Sequence, residues 1–186
     1  TFVQRVDLMK LPKELHEVVE PLLEQIDLVS GEIERCDEVL EALGSTIPAV
    51  AHLSEMPGGG LIVSLYFVLS VDDPHRFRNS REVAAFFGLR PSMRESGDRA
   101  KYGRITKEGD VEMRRLLVQA AHCLLHTRKD CALKQWAKSI EARRGKGKAT
   151  VALARKLAVL MHHLWVTGEV FSDFPATADA HLEATA

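Results

Sequence analysis

Cysteine is sparse and unpaired here. Cys36, Cys123 and Cys131 are odd in number and form no CxxC pair, which excludes a disulfide framework and a zinc ribbon. Reduced thiols, mostly buried in a core, are expected instead. Long apolar runs are absent too: no stretch reaches membrane-spanning length and no basic-then-apolar leader opens the sequence, so a soluble, cytoplasmic protein is the expectation. A surplus of either charge is also missing, since 25 Lys and Arg stand against 26 Asp and Glu. With 186 residues there is room for one core, or one core and a helical arm, and not for two full catalytic domains.

What is present is charge sorted by position. Residues 1–56 hold 4 Lys and Arg against 12 Asp and Glu, whereas residues 75–160 hold 21 against 8, a net of +13. A surplus of that size is either the wet face of a helical protein or a polyanion-binding surface.

From Leu8 to Leu43 apolar residues recur at steps of three and four through Leu11, Leu15, Val18, Leu22, Ile26, Val29, Ile33, Cys36 and Leu40. That is heptad spacing with one irregular step beside Leu22. Pro21 adjoins the break, so a kink or a fresh helix start is expected there, with the second helix over residues 21–43 and Gly44 as its stop. Residues 1–44 therefore read as a coiled-coil arm for dimerisation.

A compact helical domain is expected over residues 45–170. The apolar run of residues 61–70 reads as a buried helix, and a short helix starts at Ser80 and ends at Gly88. Residues 90–109 have no apolar period, three glycines and six basic residues, the pattern of a long exposed loop. Asp110 should cap a helix reaching Leu125, with two more over residues 133–141 and 150–165 separated by a basic hinge at Gly145-Lys146-Gly147-Lys148. That hinge lacks the spacing of a phosphate loop and the Ser or Thr after its lysine. Residues 171–186 form a polar tail expected to be disordered. The fold class is all-α.

Two segments carry chemistry. Leu53-x-x-Met56-Pro57-Gly58-Gly59-Gly60-x-x-x-Ser64 has the spacing of a helix-hairpin-helix, whose second helix offers backbone amides to a phosphate next to Gly58 and Gly60. Gly59 stands where that motif normally carries an apolar residue. The second segment is Arg94-Glu95-Ser96-Gly97 followed by Arg99, Lys101, Arg104 and Lys107. A serine hydroxyl becomes a nucleophile when its proton can leave, and cations are needed to offset the charge of a phosphodiester under attack. On composition alone Ser96 reads as a loop serine capping a turn. His122 and His126 lie one helical turn apart around Cys123, but no third ligand follows, so no metal is expected. His162-His163 and Trp165 read as the edge of the core.

Taken in order, these pieces resemble the C-terminal, serine-bearing domain of the IS110/IS116/IS902 class of insertion-sequence transposases, the bridge-RNA-guided recombinases. The resemblance covers about residues 45–170. It is carried by Met56-Pro57-Gly58-Gly59-Gly60, Arg76-Phe77-Arg78-Asn79-Ser80, Ala84-Ala85-Phe86-Phe87-Gly88-Leu89-Arg90-Pro91, Glu95-Ser96-Gly97, Ile105-Thr106-Lys107-Glu108-Gly109-Asp110, Arg114-Arg115-Leu116-Leu117-Val118-Gln119-Ala120-Ala121 and Ala152-x-Ala154-Arg155-Lys156-Leu157. Met113 stands where the family shows leucine.

The resemblance implies a transposase whose serine, here Ser96, attacks DNA and forms a covalent phosphoserine, with Ser92 as runner-up. Arg94, Arg99, Lys101 and Arg104 would clamp phosphate. Gly97, Lys107, Arg114 and Arg115 would contact the DNA backbone. Residues 8–43 would correspond to the family's coiled coil. An acidic domain preceding that arm would hold Mg2+, with no cofactor in this stretch. DNA, a guide RNA and further copies of the chain, in a dimer or tetramer, are the expected partners. The alternative is a non-catalytic helix-hairpin-helix module that binds nucleic acid and dimerises.

Overall fold

The structure, a computed structural model, describes residues 2–7, 9, 11–96, 99–127 and 129–172, with the backbone alone at 4, 7, 94–96 and 99–102. It falls into two units, Thr1–Thr46 and Ile47–Ala186. The first holds α1 (Phe2–Asp7) and α2 (Lys13–Ser45). The second runs α3 (Pro48–Ser54), α4 (Leu61–Val71), a 3-10 turn (Pro74–Arg76), α5 (Ser80–Phe86), β1 (Pro91–Ser96), β2 (Arg99–Ile105), α6 (Val111–His126), α7 (Ala132–Arg144) and α8 (Lys146–Thr167). The fold is all-α apart from one two-stranded hairpin. Among the described residues, no helix is long and apolar enough to cross a membrane.

The helix of the arm does not restart at Pro21. One helix of 33 residues runs from Pro12, its N-terminal cap, straight through Pro21. A proline inside a helix removes one backbone hydrogen bond. Pro21 is exposed, so the carbonyl left over can take water. The apolar stripe is exposed as well, with Val18 at 70% and Leu22 at 58%.

Helix α8 is the spine of the second unit and packs against α3, α5, α6 and α7. Its buried side chains, among them Leu153, Ala154, Leu157, Ala158, Met161 and His162, recur every three to four residues, and the alanines let neighbouring helices approach closely. The run at residues 61–70 is helical, as its neighbours require: α4 buries Leu65, Phe67, Val68 and Val71. An aromatic cluster closes the core where α4, α5 and α8 meet, with Phe67 5.6 Å from Phe87 and 6.4 Å from Trp165. His162 is buried, its ring nitrogens at 3.0 Å from Ser80 Oγ and 2.8 Å from the Pro74 carbonyl.

Three expectations change. Cys131 is buried, but Cys36 and Cys123 are exposed, because the arm and the outer face of α6 bury little. The basic hinge contracts to Gly145 (φ 84), and Lys146, Gly147 and Lys148 form the first turn of α8, where a glycine costs least. Within the expected irregular loop, Pro91–Ser96 and Arg99–Ile105 are paired antiparallel strands.

Candidate functional site

The hairpin grows from a root made by two of the sequence segments singled out above. Leu89 N donates to the Ala84 carbonyl at 2.9 Å, Thr106 N to Arg90 O at 2.9 Å and Lys107 N to Gly88 O at 3.1 Å. Gly88 (φ 68) and Gly109 (φ 95) face each other's segment closely. A Cβ on Gly109 would overlap the Phe86 carbonyl, and one on Gly88 would overlap the backbone of Glu108. Only glycine fits either place, for conformation and for space alike.

Asp110 fastens the outgoing chain. Its carboxylate accepts from Met113 N at 2.9 Å, capping α6, and from Ser70 Oγ at 3.3 Å on α4. Arg114 completes the brace, donating through Nη1 to the Phe87 carbonyl at 3.0 Å, and is half-buried. Arg115 is exposed and pairs with Glu112 at 2.8 Å. Arg104 and Lys107 are exposed, and Lys107 takes a positive φ of 60°.

Beyond the root, strands β1 and β2 pair with each other, and among the described residues neither packs substantially on a helix. The antiparallel register sets Ser96 opposite Arg99, Glu95 opposite Ala100, Arg94 opposite Lys101 and Met93 opposite Tyr102. Directly opposed residues share a face, as do residues two apart along a strand. Arg94, Ser96, Arg99 and Lys101 therefore occupy positions on one face of the ribbon. Ser92 belongs to that face by the same alternation, its Oγ set against Gly103. Gly97 and the side chains of Arg94, Ser96, Arg99 and Lys101 lie outside the described residues. A bulge between Pro91 and Met93 shifts the register near the root.

Helices α3 and α4 touch each other across the glycine turn. Gly58 is at φ 86, and Ser64 Oγ donates to the Gly59 carbonyl inside the turn. A Cβ at Gly59 would overlap the Leu53 carbonyl and crowd Met56, so the apolar residue usual between the glycines has no room. Gly60 is exposed and caps α4 without a side chain. His122 and His126 stack at 4.2 Å between ring centroids, and Lys146 Nζ lies 3.0 Å from His126 Nε2. Among the described residues no three His, Cys, Asp or Glu side chains gather as a metal site.

Sequence reasoning missed the hairpin and the brace. The contact of Arg114 with a carbonyl 27 positions away has no local signature.

Fold and site together define a small all-helical domain carrying a cation-rich β-ribbon on a glycine-locked root. Comparison with known proteins makes the class specific. The family model described as Transposase IS116/IS110/IS902 family matches residues 50–137. The chain is 34% identical over 137 residues to the transposase for insertion sequence element IS1111A of Coxiella burnetii, covering 73% of this chain and 38% of that protein. It is 31% identical over 143 residues to the putative transposase y4pF/y4sB of Sinorhizobium fredii, covering 75% and 37% respectively. A probable family 20 transposase of Pseudomonas aeruginosa is 28% identical over 153 residues, covering 81% and 45%. The chain belongs to the IS116/IS110/IS902 transposase family, and it spans less than half the length of these relatives.

Proposed function

We propose that this chain is the C-terminal part of a DNA recombinase and that the β-ribbon brings Ser96 to a DNA phosphodiester. One observation carries the reading: the backbone register gathers Ser96, Arg94, Arg99 and Lys101 on one ribbon face. In the reaction the Ser96 hydroxyl oxygen attacks phosphorus and a phosphoserine ester forms. The bond to one sugar oxygen breaks, and that oxygen leaves with a proton. Arginine and lysine on the same face offset the charge that builds on the phosphoryl oxygens. Arg104, Lys107 and Arg115 extend the cationic track, and the turn at Gly58 and Gly60 is a second place for backbone phosphate. Arg114 acts more as the brace of the ribbon root than as a phosphate contact, because its Nη1 is already engaged.

The reaction also needs a base for the serine proton and carboxylates for Mg2+, and among the described residues no three His, Cys, Asp or Glu side chains gather for a metal ion. Both belong in this reading to the part of the transposase outside this chain. The arm would hold copies together through its apolar stripe, and guide RNA would share the cationic surface with DNA.

In the full-length transposase, Ser96→Ala should keep nucleic-acid affinity within about twofold and lose the covalent protein–DNA adduct on a denaturing gel, while Ser92→Ala keeps it. An adduct formed by Ser96→Ala overturns the assignment.

A further inference from the structure

Cations that the Ser96 chemistry does not use gather at the far end of α6. Helix α6 starts at the ribbon root, where Asp110 caps it, and ends at His126. Arg115, Gln119, His122 and His126 follow one another at steps of four, three and four, so they share a face, and each is exposed. The rise of the helix carries that face about 16 Å from Arg115 to His126. There it meets the start of α8. Lys146 Nζ lies 3.0 Å from His126 Nε2, His126 Nδ1 lies 2.7 Å from the His122 carbonyl oxygen, and the two imidazole rings stack at 4.2 Å. An ammonium only donates and a carbonyl only accepts, so Nε2 is the acceptor and Nδ1 holds the proton. The ring thus pins Lys146 onto α6 without cancelling its charge.

Three more cations adjoin Lys146. Helix α7 ends at Arg144 and α8 begins at Lys146, with Gly145 between them, and residues 143–148 are all exposed. Arg143, Arg144, Lys146 and Lys148 therefore crowd one corner of the unit. Glu141 is the only acidic residue from Ala132 to Thr167. Among the described residues no ion pair joins it to any of these four. Arg143 and Arg144 suit the end of α7, where the helix dipole is negative. Lys146 and Lys148 do not suit the positive end of α8, where an acid would be favoured and the first turn has none. A Cβ on Gly147 would touch nothing, so the surface between the two lysines is open. Neither helix stability nor ion pairing accounts for this pair of lysines, whereas an external anion does.

We propose that Arg143, Arg144, Lys146 and Lys148 hold the phosphate backbone of a nucleic acid that runs from the ribbon root along the outer face of α6, away from the phosphate that Ser96 attacks. The inference rests on the chain being a nucleic-acid-handling transposase domain and adds to it the path of the strand. A row of cations and donors, rather than a pocket, fits a linear polyanion. One strand carries a phosphate about every 3.4 Å of duplex axis, so the face from Arg115 to His126 spans about five. Gln119 and His122 offer hydrogen bonds along the way, and the guanidinium forks of Arg143 and Arg144 suit phosphate oxygens at its end.

The test uses this whole chain, titrated by fluorescence anisotropy against labelled duplex DNA and single-stranded RNA at two salt concentrations. Arg144→Gln with Lys148→Gln removes two exposed cations that have no partner among the described residues, so folding is not at stake. Affinity should fall about tenfold and the salt slope should flatten by about 1.4–1.8, as for two lost phosphate contacts. Arg144→Lys with Lys148→Arg keeps both charges and should stay within about twofold. Arg5→Gln with Lys13→Gln makes the same change of net charge at exposed positions of the arm and should also stay within about twofold. A loss confined to DNA, or to RNA, assigns the strand that the surface holds. Unchanged affinity and slope in the junction pair overturn the surface. So does an equal loss in the arm pair, which would mean that net charge alone governs binding. Either result leaves the Ser96 adduct test standing, and an adduct formed by Ser96→Ala leaves this binding measurement standing. An unmodified chain that binds neither nucleic acid at the lower salt overturns the nucleic-acid reading and this surface with it.

Discussion

Lys134 is a buried cation that has found its partners. Its ammonium donates to the Thr127 carbonyl at 2.5 Å and lies 3.1 Å from Asp130 Oδ1, with only 7% of the side chain exposed. The pair ties the connection that follows α6 to the first turn of α7, beside the direct contact between the two helices. Lys134→Ala would leave the Thr127 carbonyl without its donor and should cost about 1–3 kcal/mol in chemical denaturation. The same pair predicts a pH effect. The hydrogen bond from Lys134, then its charge, lower the Asp130 carboxyl below its ordinary 3.8. That contribution to stability is complete above about pH 4 and is lost as pH falls through the lowered value. Thermal melts from pH 5 to 2 should show a smaller acid-side loss in Lys134→Ala than in the unmodified chain. An equal loss in both would show that the pair contributes nothing to acid sensitivity.

Among the elements, those with a one-sided apolar period were legible from sequence. The cap at Asp110, the helix it starts, and the helix expected over residues 150–165 appear in the structure, because local hydrogen bonding and burial favour the same answer. The hairpin was not legible, since strands that bury neither face against a core carry no alternation, and six basic residues across residues 90–109 hide what remains. The candidate site divides along the same line: the order of Arg94, Ser96 and Arg99 was readable, but their common face depends on a register, and the brace of Arg114 depends on tertiary contact. The fresh helix start offered for Pro21 fails because its rule is local while α2 continues for more than twenty residues beyond it. Pro21→Ala restores the missing amide and should stabilise the arm helix by up to about 3 kcal/mol. Circular dichroism should then show the arm's transition moving up with that of the second unit unmoved. No shift in the arm would mean that α2 is held by something other than its own hydrogen bonds.

On the scale of the whole molecule, charge of opposite sign sits on the two units, with residues 1–56 strongly acidic and residues 75–160 at +13. Arms that associate through Leu22, Ile26, Val29 and Ile33, all exposed in the single chain, must bring acidic flanks together. Salt screens that repulsion over a Debye length of about 8 Å at 0.15 M, so self-association should strengthen as salt rises. Nucleic-acid binding should weaken over the same range, because each phosphate contact gives up released counterions. Sedimentation and anisotropy on one preparation, taken from 0.05 to 0.5 M salt, should therefore move in opposite directions. Ile26→Glu with Ile33→Glu should abolish the first trend and leave the second within about twofold. If both trends had the same sign, or the double variant still self-associated, the apolar stripe of α2 would not be the contact between copies.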